Sequence, residues 1–193
     1  MVAGLSLPVN AATPAAQPRA AETGSNGSWS AVGSVFQNSD VHAIARGNDD
    51  TVYVGGSSGL AAWSPTQQSL TSLSIGGNIV YALAVASDDS VYMGGPADAY
   101  SKGYIARWAP DAALFTTLGP RLSGSLQNSV EALAIKDDTL YLGGGFTNKI
   151  SQWGPLSSSS AAFAPLGAGL SAAVVAIDGS SHDDSIYIGG DFT

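Results

Sequence analysis

The chain has 193 residues, 45% hydrophobic and 11% charged, which supplies a packed core and excludes a disordered polypeptide. A formal net charge of -8 argues against binding that needs a clustered excess of Lys and Arg, so nucleic acid is not an expected partner. The absence of cysteine excludes disulfides, thiolate metal sites and a cysteine nucleophile, and it leaves the compartment open.

Residues 1–11, MVAGLSLPVNA, hold a short apolar stretch followed by the small-residue pattern Val9-Asn10-Ala11. They read either as the tail of a signal peptide without its basic start or as a plain leader. Residues 12–27, rich in Ala, Pro, Thr and Gly, read as an unstructured linker. No apolar run approaches the roughly 20 residues of a membrane-spanning helix.

From residue 28 onward the chain repeats itself. An inner apolar run recurs as Val41 to Ala45, Val80 to Ala84, Val130 to Ala134 and Val174 to Ile177. Each runs into an acidic turn built on Asp49-Asp50, Asp88-Asp89, Asp137-Asp138 or Asp183-Asp184. A second run follows, Val52 to Gly56, Val91 to Gly95, Leu140 to Gly144 and Ile186 to Gly190, always with a central Tyr and a closing Gly-Gly. A third run ends at Trp63, Trp108 and Trp153, which are spaced 45 residues apart (63 to 108, 108 to 153). The fourth run covers Leu70 to Ser74, Leu114 to Gly119 and Phe163 to Gly167. The fourth copy stops at Thr193, after its second run.

Four short strands in about 45 residues, separated by Gly, Asp and Ser turns, predict an all-β chain of β-propeller blades. The blades are expected at about 41–74, 80–119, 130–167 and, in part, 174–193. That makes an incomplete propeller of about 3.5 to 4 blades, with residues 28–33 as a candidate closing outer strand. The innermost strand of a blade must be apolar on both faces and small near the axis, and Val-x-Ala-Leu-Ala satisfies both demands. The Asp-Asp pairs are read as turn formers, because their side chains bond nearby N–H groups and tolerate left-handed backbone. No cofactor or metal is expected. Calcium at these turns is the one candidate, and two adjacent side chains offer it too few oxygens. The Gly-Gly pairs mark places where bulk would clash or a bulge is needed, and the three tryptophans are expected as wedges between blades.

The patterns YLGGGFTNKISQW and LYxGG…IAxW…LGxGL resemble the kelch-like propeller repeats of secreted bacterial proteins and of fungal cortical-marker proteins. The resemblance covers about residues 28–193 and implies the fold; such repeats define blades and not an active site. The second copy departs from it, with Pro96-Ala97-Asp98-Ala99-Tyr100 in place of a Phe-Thr step.

In an antiparallel blade the links between blades and the links between second and third strands share one end, opposite the Asp-Asp hairpins. On that end the repeat varies in length and chemistry. The candidate binding residues are therefore His42, Tyr81 and Glu131 at the starts of inner strands, with Asp98, Tyr100, Lys102 and Arg121 in the longer loops. No catalytic residue is assigned, because His42 and His182 fall on opposite ends and nothing requires Asp98 and Glu131 to meet. The function expected is a non-enzymatic, secreted or cell-surface module that binds protein or glycan through one loop face. The alternatives are part of a propeller hydrolase or lyase and a purely structural array. Self-association through an open blade edge is also expected of an incomplete ring.

Overall fold

A computed structural model describes residues 32–36, 39–73, 78–97, 103–118, 129–146 and 148–193. Segments 1–11 and 12–27, and most of the candidate closing strand at 28–33, lie outside the described residues. Strands β1 (Val41–Arg46), β2 (Val52–Gly56), β3 (Gly59–Ser64) and β4 (Ser69–Leu73) form one antiparallel sheet in that order. The second sheet is β5 (Ala82–Val85), β6 (Val91–Ala97), β7 (Gly103–Ala109) and β8 (Leu114–Thr117). The third is β9 (Val130–Lys136), β10 (Thr139–Gly144), β11 (Ile150–Gly154) and β12 (Ala162–Pro165), and the fourth is the pair β13 (Val174–Gly179) and β14 (Ile186–Gly190). Three meandering four-stranded blades followed by half a blade make an incomplete β-propeller. Successive blades meet through β1, β5, β9 and β13, which are therefore the innermost strands.

The hairpin between first and second strands is made by aspartate chemistry. The carboxylates of Asp49, Asp88 and Asp183 accept hydrogen bonds from the backbone N–H of Thr51 (3.0 Å), Ser90 (3.0 Å) and Ser185 (2.9 Å). Asp50, Asp89 and Asp138 take the left-handed backbone at φ of 67°, 59° and 60°, a region short polar side chains tolerate better than branched ones.

Strand alternation gives each blade two unlike faces. The face toward the following blade is small along its inner strand and at the first glycine of the second: in the first blade Ala43, Ala45 and Gly55 point that way, flanked by Tyr53 and Leu60. The face toward the preceding blade is bulky: in the second blade it is Leu83, Val91, Met93 and Trp108. The same pairing recurs between the second and third blades, where Ala82, Ala84, Tyr92 and Ile105 meet Leu133, Leu140, Leu142 and Trp153. The core is thus a series of joints between blades.

One contact keys every joint. A Cβ built on Gly55, Gly94 or Gly143 would lie 2.5 Å from Cγ1 of Val80, Val130 or Val174, so each glycine is the socket for the valine that opens the next blade. Those three valines are 0% exposed, and complete burial of such a side chain contributes roughly 1.5–3 kcal/mol. Trp108 and Trp153 act as the expected wedges. Each packs on its cross-strand partner, Phe115 (ring centroids 4.4 Å apart) or Phe163 (4.3 Å), and on the core facing the preceding blade. Trp63 belongs to neither core cluster, because it lies on the face of the first blade turned away from the second.

Candidate functional site

The second glycine of each Gly-Gly pair shapes the end of the blade opposite the hairpins. A Cβ at Gly56, Gly95, Gly144 or Gly190 would lie 2.0–2.3 Å from the carbonyl oxygen of Asp40, Ile79, Ser129 or Ala173, the chain just entering the inner strand. That close approach is accompanied by a bulge. Val41 pairs with Gly56 and Ala43 with Gly55, so His42 is the extra residue. Glu131 stands in the same position between Val130 and Ala132, and Val175 between Val174 and Ala176. In the second blade Tyr81 holds the equivalent place, its N–H donating to Gly94 O at 2.8 Å beside the Ala82–Gly94 pair. The four residues that vary at the second position of the inner run are thus the bulge residues, and a bulge re-aims a side chain out of the ladder.

Two of the predicted residues come together. The His42 ring meets the Tyr81 ring edge-on, centroids 5.1 Å apart at 86°. His42 Nε2 also lies 3.3 Å from the Ser57 hydroxyl, in the shortened loop between β2 and β3. Glu131 accepts a hydrogen bond from the Ser129 hydroxyl at 2.7 Å. The floor beneath them is fixed by Tyr104, whose hydroxyl donates to Ile79 O at 2.6 Å. Burial pushes that hydroxyl far above the ordinary tyrosine value, so it stays a donor. Asp98, Tyr100, Lys102 and Arg121 lie outside the described residues. His182 sits in the β13–β14 hairpin, at the other end of the blade from the bulge position that His42 holds.

Sequence reasoning missed a cleft on the hairpin side. A cavity of about 330 Å³ opens between the second and third blades, walled by Asp88, Tyr92, Lys136, Asp137, Asp138 and Ser157. The one sequence signal for it is Arg107, which stands where the other blades carry Ala62 and Gln152. Its guanidinium donates to the Ser90 hydroxyl (Nε 2.9 Å, Nη2 2.6 Å) and to Asp88 (3.0 Å). Partial burial would raise the Asp88 carboxyl, but the hydrogen bonds from Ser90 and the Arg107 charge together hold it below the usual carboxylate range. Across the cleft Lys136 Nζ donates to Ser180 O (3.0 Å) and lies 3.2 Å from Asp137, while Asp138 accepts from the Ser157 N–H at 3.1 Å. These carboxylates are engaged in holding turns. Among the described residues no group of three or more His, Cys, Asp or Glu is placed to hold a metal ion. Among the same residues every side-chain nitrogen or oxygen sealed from solvent has a partner.

No protein-family model matches the chain, and no curated protein sequence matches it. Solved structures do. The chain is similar to a chain of the mitotic checkpoint complex, with 19% identity, a TM-score of 0.63, and coverage of 85% of this chain and 48% of that one. It is similar to the extracellular domain of a putative hybrid two-component system from B. thetaiotaomicron, with 16% identity, a TM-score of 0.59, and coverage of 79% and 20%. It is similar also to the WD40 repeats of RRP9, with 16% identity, a TM-score of 0.52, and coverage of 74% and 42%. The chain therefore spans less than half the length of each of these structures. At such identities the likeness establishes the propeller fold alone.

Proposed function

We propose that the chain is a non-enzymatic interaction module that engages a protein or glycan partner through the bulge end of its blades. The observation that carries this reading is the placement of variation. The Val-x-Ala frame, the Tyr, the Gly-Gly pair and the Asp turn recur, while the bulge residue within that frame changes in every copy, from His42 to Tyr81 to Glu131 to Val175. A frame held for packing with one freely chosen, outward-aimed residue per blade is the way a scaffold presents a recognition surface. Catalysis is the weaker reading. Among the described contacts no carboxylate orients the His42 ring, so its approach to Ser57 lacks the third member that activates a nucleophile. A secreted or cell-surface location belongs to the same proposal; it draws on Val9-Asn10-Ala11 and on the extracellular domain among the structural neighbours.

The test is a pull-down and a glycan array with the full chain and with the variant His42→Ala/Tyr81→Ala/Glu131→Ala. A second variant, Tyr100→Ala/Lys102→Ala, probes the longer loop. The three bulge residues are exposed or half-buried, so the first variant folds and loses at least about tenfold in affinity, the loss of one or two well-placed contacts. Binding that survives both variants would overturn this location for the site.

A further inference from the structure

The three joints between blades close differently at the hairpin end. In the first, Asn48 bridges the two hairpins. Its backbone N–H donates to the Asp89 carboxylate at 2.7 Å, and its side-chain amide donates to the same oxygen at 3.1 Å and to Ser87 O at 3.2 Å. In the third, Lys136 Nζ spans the gap to Ser180 O. In the second, Ser87 holds the place of Asn48 and Asp138 that of Asp89, and among the described residues no hydrogen bond joins the two hairpins. Ala86 also stands in the place of Gly47, where a Cβ would lie 3.2 Å from the Asp89 carboxylate, so a methyl takes the space that carboxylate uses in the first joint. The second joint is therefore open as the cleft of about 330 Å³, and Asp138 is exposed where Asp89 is half-buried.

A buried side chain is aimed into this cleft. Tyr92 is 3% exposed and its ring belongs to the core between the blades, yet its hydroxyl opens on the cleft with no hydrogen-bond partner among the described residues. Burial raises the hydroxyl above the ordinary tyrosine value; the Arg107 charge opposes this and the Asp88 and Asp138 charges add to it. The group stays protonated, able both to donate and to accept.

Charge and shape define the occupant. Asp88 is paired with Arg107 and Asp137 with Lys136, whereas Asp138 is met only by the N–H and hydroxyl of Ser157, so one negative charge stands without a counter-charge. The carboxylates are not grouped to hold a metal ion. In the first joint the group that meets the equivalent carboxylate is a nitrogen donor. Ala86, Ile135 and Leu156 give the cleft apolar walls suited to a hydrocarbon stem.

We infer that the cleft binds one ammonium or guanidinium group on an apolar stem, its N–H groups donating to Asp138 as Asn48 donates to Asp89, and to the Tyr92 hydroxyl oxygen. The site lies at the other end of the blades from the bulge residues. Its volume is at the small end of ligand pockets and holds a single side chain or a small free amine.

The test is a nuclear magnetic resonance titration of the isotope-labelled full chain with Nα-acetyl-arginine amide, followed at the backbone N–H signals of Ser87, Asp138 and Ser157. These signals shift saturably, and the neutral isostere Nα-acetyl-citrulline amide binds at least about tenfold more weakly. Asp138→Asn keeps a side chain that tolerates the left-handed backbone and still accepts from Ser157; it weakens binding about tenfold or more. Tyr92→Phe keeps the buried ring and weakens binding about threefold to tenfold. Ala86→Gly/Ser87→Asn rebuilds the bridge of the first joint and abolishes binding with every carboxylate retained. Unchanged signals away from the cleft show that each variant is folded. An arginine peptide flanked by glycines that binds as well as the amide assigns the site to a side chain of another protein, and its exclusion assigns the site to a free amine; either bears out the chemistry. No saturable shift at millimolar concentration, equal binding of the citrulline compound, or binding indifferent to Asp138→Asn or to the rebuilt bridge would each overturn the inference.

Discussion

The joint between the third blade and the half blade offers a quantitative test of the valine-in-glycine key. Replacing Gly143 with Ala places a methyl 2.5 Å from Val174 Cγ1, 2.8 Å from Val174 Cβ and 3.0 Å from Ile177 Cδ1. Real Cβ atoms do not approach so closely, so β13 must move, and overpacking of this kind costs about 1–3 kcal/mol. Val174→Ala removes two buried methyls at about 0.8 kcal/mol each and leaves a small cavity, about 2 kcal/mol in all. The double variant puts the new methyl in the space the valine vacates. Its cost should fall below the sum of the singles by roughly 1–2 kcal/mol, a coupling typical of touching residues. Gly189→Ala is the internal control: with only Ala176 at 3.6 Å it should be neutral or stabilise by up to about 1 kcal/mol. The assay is urea unfolding followed by tryptophan fluorescence, read as a shift of midpoint at constant slope. Single costs that add to within about 0.5 kcal/mol, or a Gly189→Ala loss equal to that of Gly143→Ala, would refute the key.

Two further outcomes follow from the polar contacts. Arg107→Ala removes three hydrogen bonds and leaves the Ser90 hydroxyl, 2% exposed, with Asp88 alone; unfolding measurements should show a loss of about 1–3 kcal/mol at neutral pH. Because the folded Asp88 value is depressed, its contribution is present above the ordinary carboxylate value and is lost as pH falls through the folded value, so the variant should lose less of its stability in acid than the parent does. Tyr104→Phe orphans Ile79 O and should cost about 1–2 kcal/mol. The folded Tyr104 value is raised, so the tyrosine's contribution is complete below pH about 10 and declines above it; a pH series of unfolding midpoints should show that alkaline decline in the parent and a weaker one in the variant.

The strands were legible because side-chain alternation and turn chemistry are local. Asp50 and Asp89 sit in the left-handed turns that their residue type favours, and Trp108 and Trp153 fall where a 45-residue repeat puts them. The bulge end was legible for the same reason: His42, Tyr81 and Glu131 break a pattern that can be read by laying the copies over one another. The cleft beside Asp88 and Asp138 was not, because it forms between hairpins of neighbouring blades, and Arg107 signals only its own blade.

The sequence by itself determined the number and order of strands, the four-stranded unit and its propeller architecture, since each depends on period, turn residues and β-branched content within one blade. It also marked the Gly-Gly pairs without distinguishing their members. Only the tertiary structure decided that the first glycine is a socket for the next blade's valine and the second a passage for the chain entering its own inner strand. Only the stacking of one blade on the next revealed which face of each blade meets its neighbour, with Val80, Val130 and Val174 wholly buried on Gly55, Gly94 and Gly143. The physical reason is that a valine and a glycine some 25 to 36 residues apart carry no mutual mark in sequence; their pairing exists only where two sheets meet at van der Waals distance.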